Sequence, residues 1–278
     1  TQTDLQTMFT YANYYLNFSK LLGVTRESKV DNKTSQQQII AMYDAGMEIP
    51  WDVRKAQPAL ERAEKEGLIT GVVLDAGCGF GDNAIYLAKK GFRCVGFDFS
   101  EKAIEVANHR AAEAGVAHLC EFLVGDALNL QGGGLQGRLF DTVLDSACLQ
   151  CFDPALQVKY LENIAPLMAP KGCLVLLVVC NQSQLRSWCR GVKWMKEHLT
   201  GLFTKERGWV INSMEQSTFL ENIPMVRLTK GVRTFEPVTP SPCILMKASR
   251  PRKGVVLPVL CAGGVAAVVA GVCYLWLV

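Results

Sequence analysis

Along residues 71–180 the spacing of apolar positions switches repeatedly between two periods. Short continuous apolar runs alternate with stretches whose apolar residues return at helical spacing, the pattern of buried strands alternating with amphipathic helices. Gly71–Ala76 reads as a buried strand, Asp82–Lys90 as a helix ended by Gly91, and Arg93–Asp98 as the next strand. Ser100 is placed to cap a helix that runs to Ala114 and stops at Gly115. Leu119–Val124 and Phe140–Asp145 are the third and fourth strands, and Pro154 opens a helix to about Met168. Cys173–Cys180 is apolar at every position, as a central parallel strand covered on both faces must be. Upstream, Pro58–Glu66 suits a helix ending at Gly67. Downstream, Trp209–Ser217 and Ser241–Ala248 suit a closing antiparallel pair. Such alternation builds an α/β sheet whose ligands sit at the carboxyl ends of the strands.

The two ends break this rhythm. Residues 1–50 read as a helical cap with a polar linker from Lys29 to Gln38. Leu5, Met8, Phe9, Ala12, Tyr15, Leu16, Leu21 and Leu22 are interleaved with polar residues, so the first stretch is amphipathic and unlike a signal peptide. At the other end, Val255–Val278 is 24 residues without a charge, more than the ~20 needed to cross a bilayer as a helix. Arg250, Arg252 and Lys253 precede it, and Tyr274 and Trp276 lie near its far end, where aromatic rings favour the membrane interface. The expectation is a C-terminal transmembrane helix, residues 251–278 forming a membrane anchor, with residues 51–250 as a cytosolic domain on the endoplasmic reticulum or another intracellular membrane. Gly263, Ala267 and Gly271 recur every fourth residue and suit a homodimer through that helix.

Charge and cysteine content narrow the class. The formal net charge is +3 with no long basic run, which argues against nucleic acid as a partner. Of the 11 cysteines, Cys94, Cys120, Cys173 and Cys180 lie inside apolar runs, as reduced core thiols do. In a reducing compartment the sequons at Asn17, Asn32 and Asn181 have no role. Cys148-Leu149-Gln150-Cys151 is a C-x-x-C. His109, His118 and His198 do not pair at ligand spacing, so no metal site is expected.

The chemistry concentrates in Val73-Leu74-Asp75-Ala76-Gly77-Cys78-Gly79-Phe80-Gly81, which leaves a strand and enters a helix. Glycines there let a ligand approach main-chain atoms. The spacing is G-x-G-x-G. The dinucleotide fingerprint would need a third glycine where Asp82 stands, and Asp82 would oppose a pyrophosphate at the helix N-terminus. Asp98 ends the next strand, where a carboxylate can accept both ribose hydroxyls. Asp126 ends the third, at a place suited to an adenine amino group. These three acids disfavour a nicotinamide oxidoreductase and favour a nucleoside ligand without phosphate.

The run VLDAGCGFGDNAIYLA…GFDFS…VGDA…FDTVLDSACLQCF…LMAPKG resembles the class I S-adenosylmethionine-dependent methyltransferases over roughly Gly71–Cys180. The resemblance implies a Rossmann-like methyltransferase fold, with a mostly parallel seven-stranded sheet and helices on both faces, and S-adenosyl-L-methionine as cofactor. It implies that Asp75, Gly77 and Gly79 line the methionine end, that Asp98 holds the ribose, and that Asp126 and Ala127 flank the adenine. Cys78, Gly81, Asn83, Phe99, Ser100 and Ser146 complete the expected cofactor-binding set. Ile49-Pro50-Trp51-Asp52-Val53 with Gln57-Pro58 is similar to a segment of the thiopurine, thiol and halide methyltransferases, in which the Trp packs over the cofactor, so Trp51 joins that set. Arg54 stands where that branch has Gly, and Gln150 where bacterial relatives often carry His.

The expected reaction is in-line attack of a nucleophile on the methyl carbon of the sulfonium, with the protein supplying orientation and a dry site. Asp145, Gln150 and Cys151 follow the fourth strand and are the candidates for the substrate pocket. The catalytic residues themselves stay open. No Lys, His or Tyr base is evident, which favours a thiol or similar soft acceptor that needs no deprotonation help. Two alternatives remain at this stage. One is a lipophilic acceptor, such as a quinone or xenobiotic, taken from the membrane; the other is a non-catalytic cofactor-binding scaffold.

Overall fold

The computed structural model describes residues 32–44, 49, 51–130, 134–180, 191–221, 225–229, 232–236 and 239–251. Nine strands are described: β1 Val73–Ala76, β2 Cys94–Asp98, β3 Cys120–Val124, β4 Phe140–Ser146, β5 Met168–Val179, β6 Val210–Glu221, β7 Met225–Thr229, β8 Val232–Glu236 and β9 Thr239–Ser249. The helices are α1 Asn32–Asp44, α2 Pro58–Lys65, α3 Asp82–Lys89, α4 Glu101–Glu113, α5 Pro154–Ile164 and α6 Val192–Leu202. Seven strands form one sheet in the order β3-β2-β1-β4-β5-β9-β6, while β7 and β8 pair only with each other. The first five strands of that sheet are parallel, and β9 pairs antiparallel with both β5 and β6. The mostly parallel seven-stranded sheet is therefore as expected, and the closing pair is longer than the sequence pattern indicates.

Side chains of the central strands alternate between two cores. On β5, Leu174, Leu176 and Val178 face one core and Val175, Leu177 and Val179 the other, all buried. The period of two along a strand sends successive residues to opposite faces, so a strand covered on both sides has no polar position to offer. One core is closed by Tyr160, Leu161 and Ile164 of α5 with Met195, Leu199 and Leu202 of α6. The other is closed by Ala59, Leu60 and Ala63 of α2, by α3, and by Ile104, Ala107 and Ala111 of α4. Helices cover both faces. Ser100 caps α4 by accepting from the Ala103 amide at 3.2 Å, and Asp153 caps α5 through the amides of Ala155 and Leu156.

Three expectations need correction. The fold of the described residues does not include the expected transmembrane helix. Among the described residues no helix is long and apolar enough to cross a membrane; the longest, α1 and α4, have 13 residues, about 20 Å of rise against a hydrocarbon core of about 30 Å. Val255–Val278 lies outside the described residues. Second, the polar linker placed at Lys29–Gln38 overlaps α1. Ile39, Met42 and Tyr43 of α1 are buried with Ile49 and with Ala103 of α4, so packing of the C-terminal half carries a polar N-terminal half. Third, the β7–β8 hairpin was not anticipated. The amphipathic stretch within residues 1–31, and Pro50, lie outside the described residues. Arg54, in the place of the branch glycine, has φ 52°, in the left-handed region glycine favours.

Candidate functional site

β1, β2 and β4 end side by side, and the cavity opens at their carboxyl ends. Two compartments share walls there. The larger is bordered by Ile39 and Tyr43 of α1, Trp51, Gly77, Asp98, Phe99, Gly125 and Ala127. Its far side is made by Ser146–Cys148, Gln150–Phe152, Phe219 and Glu221. Its cavity volume is about 120 Å³. The smaller lies over the glycine loop and the start of α3, bordered by Asp52, Lys55, Gln57, Cys78, Gly79, Asp82 and Asn83. Trp51, Gly77, Ser146 and Phe219 border both compartments.

The loop between β1 and α3 is shaped by close approach. A Cβ on Gly77 would lie 2.8 Å from the Cys148 sulfur, and one on Gly81 would lie 2.8 Å from the Phe122 ring; both residues also have positive φ. Asp98 holds this loop open. Its Oδ2 accepts from the Gly79 amide and its Oδ1 from the Ser100 amide, each at 3.0 Å. Burial raises its pKa while those amides oppose the shift.

Asp75 is different. It is 1% exposed, and neither carboxylate oxygen has a hydrogen-bond partner among the described residues. Burial pushes its pKa to about 7; the nearby Ala84 amide offsets part of that, and the Asp145 and Asp98 carboxyls add to it. Asp75 itself borders neither compartment, but it stands two residues before Gly77, which borders both; a buried carboxyl without a partner there suits a ligand that brings a cation or donors.

A model of the methyltransferase domain matches residues 70–222, more than half of the chain. The chain belongs to the S-adenosylmethionine-dependent methyltransferases. The 2-heptyl-1-hydroxyquinolin-4(1H)-one methyltransferase of Mycobacteroides abscessus is 36% identical over 46% of this chain and 55% of its own length. Tocopherol O-methyltransferase, chloroplastic, of Arabidopsis thaliana is 30% identical over 40% of this chain and 31% of its own length. The chain thus spans about half or less of these relatives. Among solved structures, one reported for the conversion of a disulfide bond into a thioacetal group during echinomycin biosynthesis is 26% identical. It covers 77% of this chain and 92% of its own, with a TM-score of 0.62.

In this methyltransferase not all of the cofactor-site candidates reach the cavity. Trp51, Gly77, Asp98, Phe99, Ala127 and Ser146 border the larger compartment, and Cys78, Gly79 and Asn83 the smaller. Asp75, the penultimate residue of β1, is buried and borders neither compartment. Gly81 and Ser100 act on the backbone: Gly81 precedes α3 against Phe122, and Ser100 spends its hydroxyl on the α4 cap. Asp126 is exposed, turned back to accept from the Leu128 amide at 2.9 Å, and does not border the cavity.

The acceptor-side candidates also divide. Gln150 and Cys151 border the larger compartment, but Asp145 sits behind it, fully buried. Its oxygens accept from the Cys148 amide at 2.8 Å, the Leu149 amide at 3.0 Å and the Tyr160 hydroxyl at 2.7 Å. Burial raises its pKa to about 7. Asp145 therefore braces the turn that presents Gln150.

Sequence reasoning missed Tyr43, Phe219 and Glu221. Tyr43 accepts from the Trp51 indole N–H at 3.1 Å, and burial together with Asp98 drives its pKa well up. Glu221 is buried at the end of β6, with the Ser241 hydroxyl donating to it. No motif marks either residue; only the antiparallel pair β6–β9 and the docking of α1 bring them to the site.

Proposed function

We propose that this enzyme methylates a small, largely apolar acceptor at a sulfur nucleophile. The carrying observation is the state of the side chains around the larger compartment. Burial holds the Tyr43 hydroxyl and the Cys148 thiol protonated, with neighbouring carboxyls reinforcing the effect, so neither accepts a proton near neutral pH. A thiol that ionises by itself near neutral pH needs no such help. The similarity to a structure reported for disulfide-to-thioacetal conversion supports sulfur as the reacting atom. The likeness of the Trp51-Asp52 segment to the thiopurine, thiol and halide branch points the same way.

The residues present suit S-adenosylmethionine. Asp75, buried and unpartnered, would face the ammonium-bearing methionine end, with Gly77, Gly79 and Asn83 around it. Asp98 would take the ribose, while Phe99, Gly125 and Ala127 would enclose the adenine and Trp51 would cover the junction of the compartments. When bound, the cofactor supplies an electrophilic methyl group on a sulfonium. The protein's part is to align the acceptor against that carbon and exclude water.

A second reading is favoured by Glu221. A carboxylate bordering the cavity could take the proton of a hydroxyl acceptor, such as the hydroxyquinolinone of the Mycobacteroides relative. One experiment separates the readings: S-adenosylhomocysteine release measured with panels of apolar thiols, phenols and N-hydroxyquinolones, for the wild type and Glu221→Gln. Thiol turnover that survives Glu221→Gln is the expected result. Turnover of hydroxyl acceptors alone, abolished by that substitution, overturns the sulfur assignment. Cofactor binding without turnover of any acceptor would leave a non-catalytic scaffold.

A further inference from the structure

Gln150 has a carboxamide that is only half used. Its Oε1 accepts from the Val179 amide, at the end of β5, at 2.6 Å. Because that partner is an N–H, the orientation of the amide follows: oxygen towards β5, nitrogen away from it. The residue is 1% exposed, and Nε2 is buried with no partner among the described residues. Gln150 nevertheless borders the larger compartment. Buried donors are nearly always paired, so one left open beside a cavity needs an explanation.

The support beneath it is stiff. Asp145 accepts the amides that begin the turn Leu149–Cys151, and Tyr160 fixes Asp145 from behind. The turn begins three residues after Ser146, which borders both compartments; Gln150 itself borders the larger one. The surrounding wall is mostly apolar: Ile39, Ala147, Phe152 and Phe219.

Resting on the reading of the Gln150–Phe152 side of the larger compartment as the acceptor's part of it, we infer that Gln150 reads the acceptor. Its Nε2 donates a hydrogen bond to a carbonyl oxygen or ring nitrogen of the substrate that neighbours the atom to be methylated. The preferred substrates are then apolar molecules with a hydrogen-bond acceptor beside the nucleophile. A buried donor that its ligand fails to satisfy discriminates far more sharply than a missing methylene does.

The test uses unreactive product analogues, the ortho and para isomers of methyl (methylthio)benzoate, which differ in whether the ester carbonyl lies next to sulfur. Binding to the 278-residue chain saturated with S-adenosylhomocysteine is measured by calorimetry. The wild type should prefer the ortho isomer by about tenfold or more. Gln150→Leu should remove that preference while S-adenosylhomocysteine affinity stays at the wild-type value, which also shows that the variant is folded. Equal binding of the isomers by the wild type, binding of neither, or a preference that survives in Gln150→Leu overturns the assignment. Since these probes are bound and never turned over, failure of the sulfur reading in the turnover assay leaves this measurement intact, and the reverse also holds.

Discussion

At Asp98 one carboxylate serves both the loop and the cavity. Its oxygens already accept from Gly79 and Ser100, yet each keeps lone-pair capacity on the side where the larger compartment lies. Asp98→Ala should weaken S-adenosylhomocysteine binding by roughly 1.5–3 kcal/mol, the range for a hydrogen bond to a charged group. It should also lower stability, because two buried amides lose their acceptor. Titration calorimetry alongside chemical denaturation checks both; unchanged affinity with reduced stability would leave Asp98 a purely structural residue. The position of Asp98, reaching the glycine loop and bordering the cavity, is legible in the sequence because a strand end next to a glycine turn leaves an acid few other places to point; Asp75 is buried short of the cavity. Asp126 and Asp145 lie at comparable strand ends, but their oxygens accept from backbone amides two to four residues ahead and neither borders the cavity. A short acid's choice between its own turn and a ligand is decided by local dihedral angles, which residue type alone does not specify.

At the scale of elements, the segment carrying Trp51 is tied to the glycine loop by a single arginine. Arg110 of α4 grips both oxygens of Asp52 at 2.8 Å, reaches Asp82 at the start of α3 at 2.9 Å, and lies 4.7 Å over the Phe80 ring. Burial raises the Asp82 pKa to about 6 in spite of that arginine. Asp82, which in the sequence argues against a pyrophosphate, is thus also a structural anchor. Arg110→Met should leave two half-buried carboxyls facing each other, costing about 2 kcal/mol or more of stability, and should loosen Trp51 enough to weaken cofactor binding about tenfold. Arg110→Lys should recover only part of either, because an ammonium cannot make the bidentate contact. Denaturation midpoints and cofactor titrations on the two variants decide it; a wild-type affinity in Arg110→Met would mean that the Tyr43–Trp51 bond positions the ring unaided. The strands and helices of the central region were legible because burial on one or two faces imposes a period. The α1 contact was not, because it depends on Ile39, Met42 and Tyr43 meeting Ala103 from more than fifty residues away.

For the whole molecule, the order of strands places two acids under the same sheet edge. Asp75 of β1 and Asp145 of β4 end neighbouring strands, with Asp145 in register with Ala76, the residue after Asp75. Periodicity gives the strands, and the family resemblance gives their count of seven in one sheet, but neither reveals that both acids are buried without a cation. Burial raises each to about 7, from an ordinary value of 3.8. The folded protein therefore holds protons that the unfolded chain releases above pH 4. Their contribution to stability is complete below about pH 4 and is lost as pH rises through about 7. The cofactor-free enzyme should melt at a lower temperature at pH 8 than at pH 6. That is opposite in sign to Glu121, whose pKa Arg138 lowers and which favours the folded state as pH rises above the acidic range. Binding a ligand with an ammonium beside Asp75 favours the ionised carboxylate, so cofactor affinity should rise with pH through about 7 and binding there should release a proton. Asp75→Asn should raise the cofactor-free melting temperature at pH 8, by a stability gain on the order of 2 kcal/mol, while weakening cofactor binding and flattening its pH dependence. Melting curves between pH 5.5 and 8.5, with and without S-adenosylhomocysteine, provide the check. If cofactor-free stability climbs through pH 7 and Asp75→Asn leaves it unchanged, both acids are ionised in the free enzyme and the proton linkage is absent.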